Sequence, residues 1–238
     1  MKIFFICICC ALSIGGYAQT ITNKSYPVTA GQRIQFKFDY PVVQISTWEK
    51  NEVSVTAKVK INDDENDSAF ELQEDVVDGV MVISDRIKDM DQIPRRYTIV
   101  RDGVKTVYKS KDQYLEASKG HGIQRTYEGM DMEIRLEIKV PANAQTNIKA
   151  IYGIVELNGF NAPVTVNATY GGIDATLSEA HTGKLQATTR YGQIYSNLDL
   201  KLTDHTEHDF FNSITAEPGT GPSYQFTSDY GKIYLRKP

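Results

Sequence analysis

From Met130 to Val140 the chain alternates without a break. Met130, Met132, Ile134, Leu136, Ile138 and Val140 are apolar, and Asp131, Glu133, Arg135, Glu137 and Lys139 between them are charged. A helix would spread those apolar side chains around its axis, whereas a strand sets them all on one face. The segment therefore predicts a half-buried strand, closed by Pro141. The same period of two runs through Val53, Val55, Ala57, Val59 and Ile61, and through Ile34, Phe36 and Phe38. The pattern is that of an all-β chain.

A second, longer period lies on top of the first. Tyr-Gly recurs at Tyr152-Gly153, Tyr170-Gly171, Tyr191-Gly192 and Tyr230-Gly231, and Phe211-Asn212 falls near the middle of the last gap. Two residues after each Gly or Asn stands a β-branched residue: Val155, Ile173, Ile194, Ile214 and Ile233. Alternating apolar positions on either side of a tight turn describe two short strands per repeat. The Gly-to-Asn exchange suggests a turn residue with positive φ, which Asn tolerates best after Gly. Together these predict a β-solenoid, or β-helix, of about five coils of 18–21 residues over 142–238. The aromatic column Tyr152, Tyr170, Tyr191, Phe211 and Tyr230 would then form a ladder. It reads first as a structural stack covering the turns, with a ligand platform as the alternative.

The N-terminus changes the picture of where the chain resides. Lys2, an apolar run from Ile3 to Ile14 and the small residues Gly16 and Ala18 make a secretory signal peptide over 1–18. Cys7, Cys9 and Cys10 lie within it, so the mature chain is expected to hold no thiol chemistry and no disulfide. Removing Lys2 takes the formal charge from −4 to −5, a mild acidity that argues against nucleic acid as a partner. The apolar run is shorter than the roughly 20 residues a membrane-spanning helix needs, so no transmembrane segment is expected in the mature chain. The expected location is the periplasm or the cell surface. One continuous domain is expected over 19–238, with a β-rich N-terminal part over 19–141.

The chain resembles the adhesin family of bacterial β-strand-repeat domains of unknown function that is related to the head-GIN domains. The residues that carry the resemblance are Val42-Val43-Gln44-Ile45 with Val53-Ser54-Val55, the strand ending Ile138-Lys139-Val140-Pro141-Ala142, and the Tyr-Gly-x-Ile repeats. The resemblance implies a β-solenoid outside the cytoplasmic membrane and supplies no catalytic residues. The segment from Asp91 to Gly129 departs from the family's shorter pattern.

Four features could carry chemistry. His205-Thr206-Glu207-His208 sets two imidazoles and a carboxylate close together, yet its spacing is not that of a helical zinc site, and a solvated loop is the simpler reading. Asp63-Asp64-Glu65-Asn66-Asp67 offers oxygen ligands for Ca²⁺ but lacks the Gly and distant Glu of a calcium-binding loop, so a charged hairpin turn is expected. Glu156 and Asp174 hold equivalent positions of successive repeats, which would set them close enough for a pair of glycosidase carboxylates. No nucleophile, base or oxyanion motif accompanies them.

The fourth feature is the insert 91–129. Between Pro94 and Arg125 it places Arg95, Arg96, Arg101, Lys105, Lys109, Lys111, Lys119 and Arg125 against Asp102, Asp112 and Glu116. Such a surplus in an acidic chain makes Arg95, Arg96, Arg101, Lys105, Lys109 and Lys111 the candidate contacts for an anionic glycan, a lipid headgroup or an envelope protein. No cofactor or metal is expected. The reading is a non-enzymatic, adhesin-like envelope module. Its rivals are a carbohydrate-active enzyme using Glu156 and Asp174, and a structural or regulatory envelope protein with no ligand.

Overall fold

The computed structural model describes residues 20–238. The expected signal peptide over 1–18, with Cys7, Cys9 and Cys10, lies outside the described residues. The N-terminal half forms β1 (Thr20–Pro27), β2 (Ile34–Phe38), β3 (Val42–Trp48), β4 (Glu52–Ile61), β5 (Phe70–Val77) and β6 (Val80–Ile87). The insert then folds as β7 (Arg96–Arg101), β8 (Val104–Tyr108), helix α1 (Lys111–Ala117) and β9 (Ile123–Gly129). The alternating segment is β10 (Met132–Pro141), with Ile134, Leu136, Ile138 and Val140 buried and the charged residues between them exposed.

Ten short strands follow: β11 (Thr146–Ala150), β12 (Val155–Asn158), β13 (Val164–Ala168), β14 (Ile173–Thr176), β15 (Lys184–Thr189), β16 (Ile194–Ser196), β17 (Leu202–His208), β18 (Phe211–Ala216), β19 (Ser223–Ser228) and β20 (Ile233–Arg236). They complete two large mixed sheets. One has the order β1-β4-β10-β3-β12-β14-β20-β16, the other β17-β18-β15-β19-β13-β11-β2-β6-β5. A third sheet, β8-β7-β9, is the insert. The buried residues of both large sheets belong to one apolar cluster, centred on Phe36, Phe38, Ile45, Ile148, Ile173 and Phe226. Burying each such side chain contributes about 1.5–3 kcal/mol.

The expected five-coil solenoid is not what forms. Strand-turn-strand units do cross between the sheets in parallel register: Ile148 pairs with Phe36 and Val166, and Val155 with Val43 and Ile173. They do not follow one another in chain order, however. The last unit, β19–β20, inserts between β13–β14 and β15–β16, so β14 pairs with β20 and β16 lies beyond it. The Phe211-Asn212 copy is no coil at all, because β17 and β18 make an antiparallel hairpin against β15. Antiparallel pairs also bind β1 and β10 to β4, and β5 to β6. The physical reason is that parallel pairing requires a matching register from a neighbour, and near-identical units meet that requirement in any order.

Candidate functional site: an exposed aromatic ridge

Five segments cross from one large sheet to the other through the same tight turn. The turns are Asp39-Tyr40-Pro41, Ile151-Tyr152-Gly153, Thr169-Tyr170-Gly171, Asp229-Tyr230-Gly231 and Arg190-Tyr191-Gly192, in that spatial order. Each turn hydrogen-bonds to the next. Tyr152 N–H donates to the Asp39 carbonyl at 2.9 Å, Tyr170 to Ile151 at 2.7 Å, Tyr230 to Thr169 at 2.9 Å and Tyr191 to Asp229 at 2.7 Å. Buried hydroxyls add stitches: Ser228 Oγ donates to the Gly171 carbonyl at 2.9 Å, and Thr189 Oγ1 to that of Gly231 at 3.1 Å.

The glycines serve close approach and not positive φ, contrary to the sequence expectation. None of Gly153, Gly171, Gly192 and Gly231 lies in the left-handed region. A Cβ at Gly171 would sit 1.8 Å from the Gly153 carbonyl oxygen, and one at Gly192 would sit 1.9 Å from that of Gly231. Asn could not replace them. The left-handed residue near Asn212 is Phe210, two residues before it, at φ 61°.

With turns this close, the rings above them must stack. Centroids are 5.7 Å apart for Tyr40–Tyr152, 5.2 Å for Tyr152–Tyr170, 5.1 Å for Tyr170–Tyr230 and 4.9 Å for Tyr230–Tyr191, all nearly parallel. Phe210, at the tip of the β17–β18 hairpin, ends the row 5.5 Å from Tyr191 and tilted by 41°. The four central tyrosines are each more than half exposed. Their faces cover one another, so the ridge presents ring edges and phenol hydroxyls in a line. Exposed cations flank it. Lys37 and Lys149 are register partners beside its Tyr40 end, and Lys232 stands near Tyr191. None of the three forms an ion pair among the described residues.

At the Tyr40 end the row is closed by Asp85. Burial pushes this carboxyl up to about 6, against the pull of N–H donors from Asp39 and Tyr40, and its Oδ2 has no partner. Burial likewise raises the Tyr40 phenol, with Asp39 adding to the shift.

The cations of the insert are mostly engaged. Arg96 is buried and pairs with Glu65, which also binds Lys109. Hydrogen bonding from Lys109 is the main reason the Glu65 carboxyl lies below its usual value. Lys105 pairs with Asp131, Arg95 with Glu128 at 3.3 Å, and Arg101 Nη2 donates to the Ala117 carbonyl at 2.8 Å. Of the six candidates, Lys111 alone makes no such contact among the described residues.

Glu156 and Asp174 are register neighbours, but Arg236 grips Asp174 with both arms, Nε at 2.7 Å and Nη2 at 2.9 Å. That clamp occupies both carboxylate oxygens. His205 and His208 lie on the exposed strand β17, with His205 3.7 Å from Glu207 and His208 stacked on Phe211. The acidic loop is not a hairpin turn, since it carries the chain from β4 in one sheet to β5 in the other. Its Asp67 is buried and accepts from Ile61 N–H at 2.7 Å. Among the described residues no group of three or more His, Cys, Asp or Glu side chains is placed to hold a metal ion.

The sequence reading did not include Tyr40, Asp85, Phe210 or Lys232. Tyr40 was findable, because Tyr40-Pro41-Val42-Val43 matches the repeat with Pro in place of Gly.

No protein-family model matches the chain, and no curated protein matches its sequence. Solved structures do. A "putative cell adhesion protein" from Clostridium sporogenes is similar at a TM-score of 0.52 and 11% identity, over 93% of this chain and 100% of that one. A "putative adhesin" from Parabacteroides distasonis aligns over 91% of this chain and 97% of that one, at a TM-score of 0.29 and 11% identity. The first similarity is one of fold. No described helix is long and apolar enough to cross a membrane.

Proposed function

We propose that this chain is a non-enzymatic, exported, adhesin-like module that holds an anionic polysaccharide along its tyrosine ridge. The observation that carries the reading is the ridge itself. Tyr152, Tyr170, Tyr230 and Tyr191 are 51–57% exposed although they form one continuous stack. Large rings left in water in a single row mark an interaction surface more than a packing need. Edge-on phenols offer a donor and acceptor at every step, which suits a partner that is itself regular, extended and rich in hydroxyls. Lys37, Lys149 and Lys232 beside the ridge favour a partner of negative charge.

The fold of the Clostridium sporogenes protein, named for cell adhesion, supports the adhesin-like part. Export rests on the signal peptide read from Lys2 to Ala18. A glycosidase using Glu156 and Asp174 is less favoured, because Asp174 is held in a bidentate pair with Arg236.

The test is a polysaccharide array probed with the purified protein and with a Tyr152→Thr/Tyr170→Thr/Tyr230→Thr variant. Binding to acidic polymers should be lost in the variant while its circular dichroism stays that of the parent. Retained binding, or cleavage of a polymer by the parent, would overturn the proposal.

A further inference from the structure

We infer that the cleft at the Phe210 end of the ridge, between β16 and the β17–β18 hairpin, receives the terminal sugar of an acidic glycan. The inference rests on the ridge reading and adds to it an endpoint and a ligand chemistry.

Phe210 gives the first reason. With Asp209 it forms the two-residue turn of the hairpin, where Asn or Gly is the favoured choice. Phe stands there instead, at φ 61° and 73% exposed. A bulky residue with positive φ is a backbone outlier, and a phenyl ring in water adds a second local cost. Asn would remove both. The ring is tilted 41° to Tyr191 and so does not continue the parallel stack.

The cleft beside it supplies the second reason. It measures about 380 Å³, within the size range of small-ligand sites. Its polar groups are not matched among themselves. Arg190 is held by Asp229, whereas the Lys232 ammonium lies over the Tyr195 ring, 5.7 Å from its centroid, and has no carboxylate within ion-pair distance among the described residues. Glu207 offers a further acceptor. A pyranose carboxylate satisfies Lys232, a sugar hydroxyl donates to Glu207, and the C–H face of the ring lies on Phe210.

The test compares trigalacturonate with its carboxyl-reduced trimer by isothermal titration against the parent protein, Lys232→Gln and Phe210→Asn. The parent should bind the acidic trimer at least tenfold more tightly than the reduced one. Lys232→Gln should erase that preference. Phe210→Asn should weaken the acidic trimer at least tenfold while its melting temperature stays level or rises, which separates lost recognition from lost fold. Equal affinity for the two trimers, no binding of either, or parental binding by Phe210→Asn would each overturn the inference. Long polygalacturonate tells the two ideas apart. If the three-tyrosine variant loses it while the parent does not discriminate between the trimers, the ridge stands and the endpoint falls. If no variant loses it, both fall.

Discussion

The Asp85 carboxylate accepts the Asp39 backbone N–H at 2.8 Å, in the place that the carbonyl of the last strand residue of the preceding unit takes at every other level of the stack. Asp39 belongs to the first turn, which has no turn before it to bond to. A side chain from β6 therefore completes the ladder. The arrangement puts a carboxyl in a poorly hydrated position, and burial raises it from 3.8 to about 6. Because the folded chain holds this proton more tightly than the unfolded one, the group's contribution to stability is full below about pH 4 and is lost as pH rises through about 6. Asp85→Asn keeps an acceptor for Asp39 without a buried charge. Its melting temperature should match the parent near pH 4.5 and exceed it at pH 7.5. Asp85→Ala strands the N–H and should lose about 1–3 kcal/mol near pH 4.5, and less at pH 7.5, where the parent's own buried carboxylate is disfavoured. Equal pH slopes for parent and Asn variant would refute the assignment.

Gly171 tests the turn stack from its centre. The obstacle to a side chain there is backbone, the Gly153 carbonyl oxygen, which cannot swing aside. Gly171→Ala should destabilise by about 3 kcal/mol or more, at the upper end for overpacking. Gly171→Asn should do no better, since φ is not the constraint. Gly79, at φ 77° with open space around it, should accept Asn at far lower cost. Urea titrations of the three variants check the ranking.

Arg96 and Arg95 are adjacent in sequence and should behave unlike each other. Arg96 is buried and pairs with Glu65, which sits in the loop between the large sheets. Arg96→Ala leaves Glu65 with Lys109 alone and opens a gap beneath the insert, and should cost about 1–3 kcal/mol. Arg95 is largely exposed, so Arg95→Ala should stay within about 0.5 kcal/mol. Thermal melts distinguish the two directly.

Much of this architecture is legible in the sequence. The alternation from Met130 to Val140 and from Val53 to Ile61 gives two central strands, and Tyr-Gly-x-Ile gives the strand-turn-strand unit. The order of the units is not legible, because Ile173 finds the same register against Ile194 or Ile233 and nothing local distinguishes them. Phe211-Asn212 matched the repeat by composition while its strand paired antiparallel, so the ring that joins the ridge is Phe210. Asp85 bears no motif, since capping a turn 46 residues away leaves no trace in nearby sequence. The basic insert was plain as a charge surplus, but its partners Glu65 and Asp131 lie outside it, and only the fold brings them together.

The ridge as a binding surface is the centre of this account, and tyrosine nitration mapped by mass spectrometry tests it most directly. The protein is treated with tetranitromethane, free and then saturated with the tightest-binding polysaccharide of the array. Tyr152, Tyr170, Tyr191 and Tyr230 should react when free and be protected when bound. Tyr127, exposed on the insert strand β9, should react equally in both. Protection of Tyr127 with the four ridge tyrosines left reactive would contradict the account and place the binding surface on the insert.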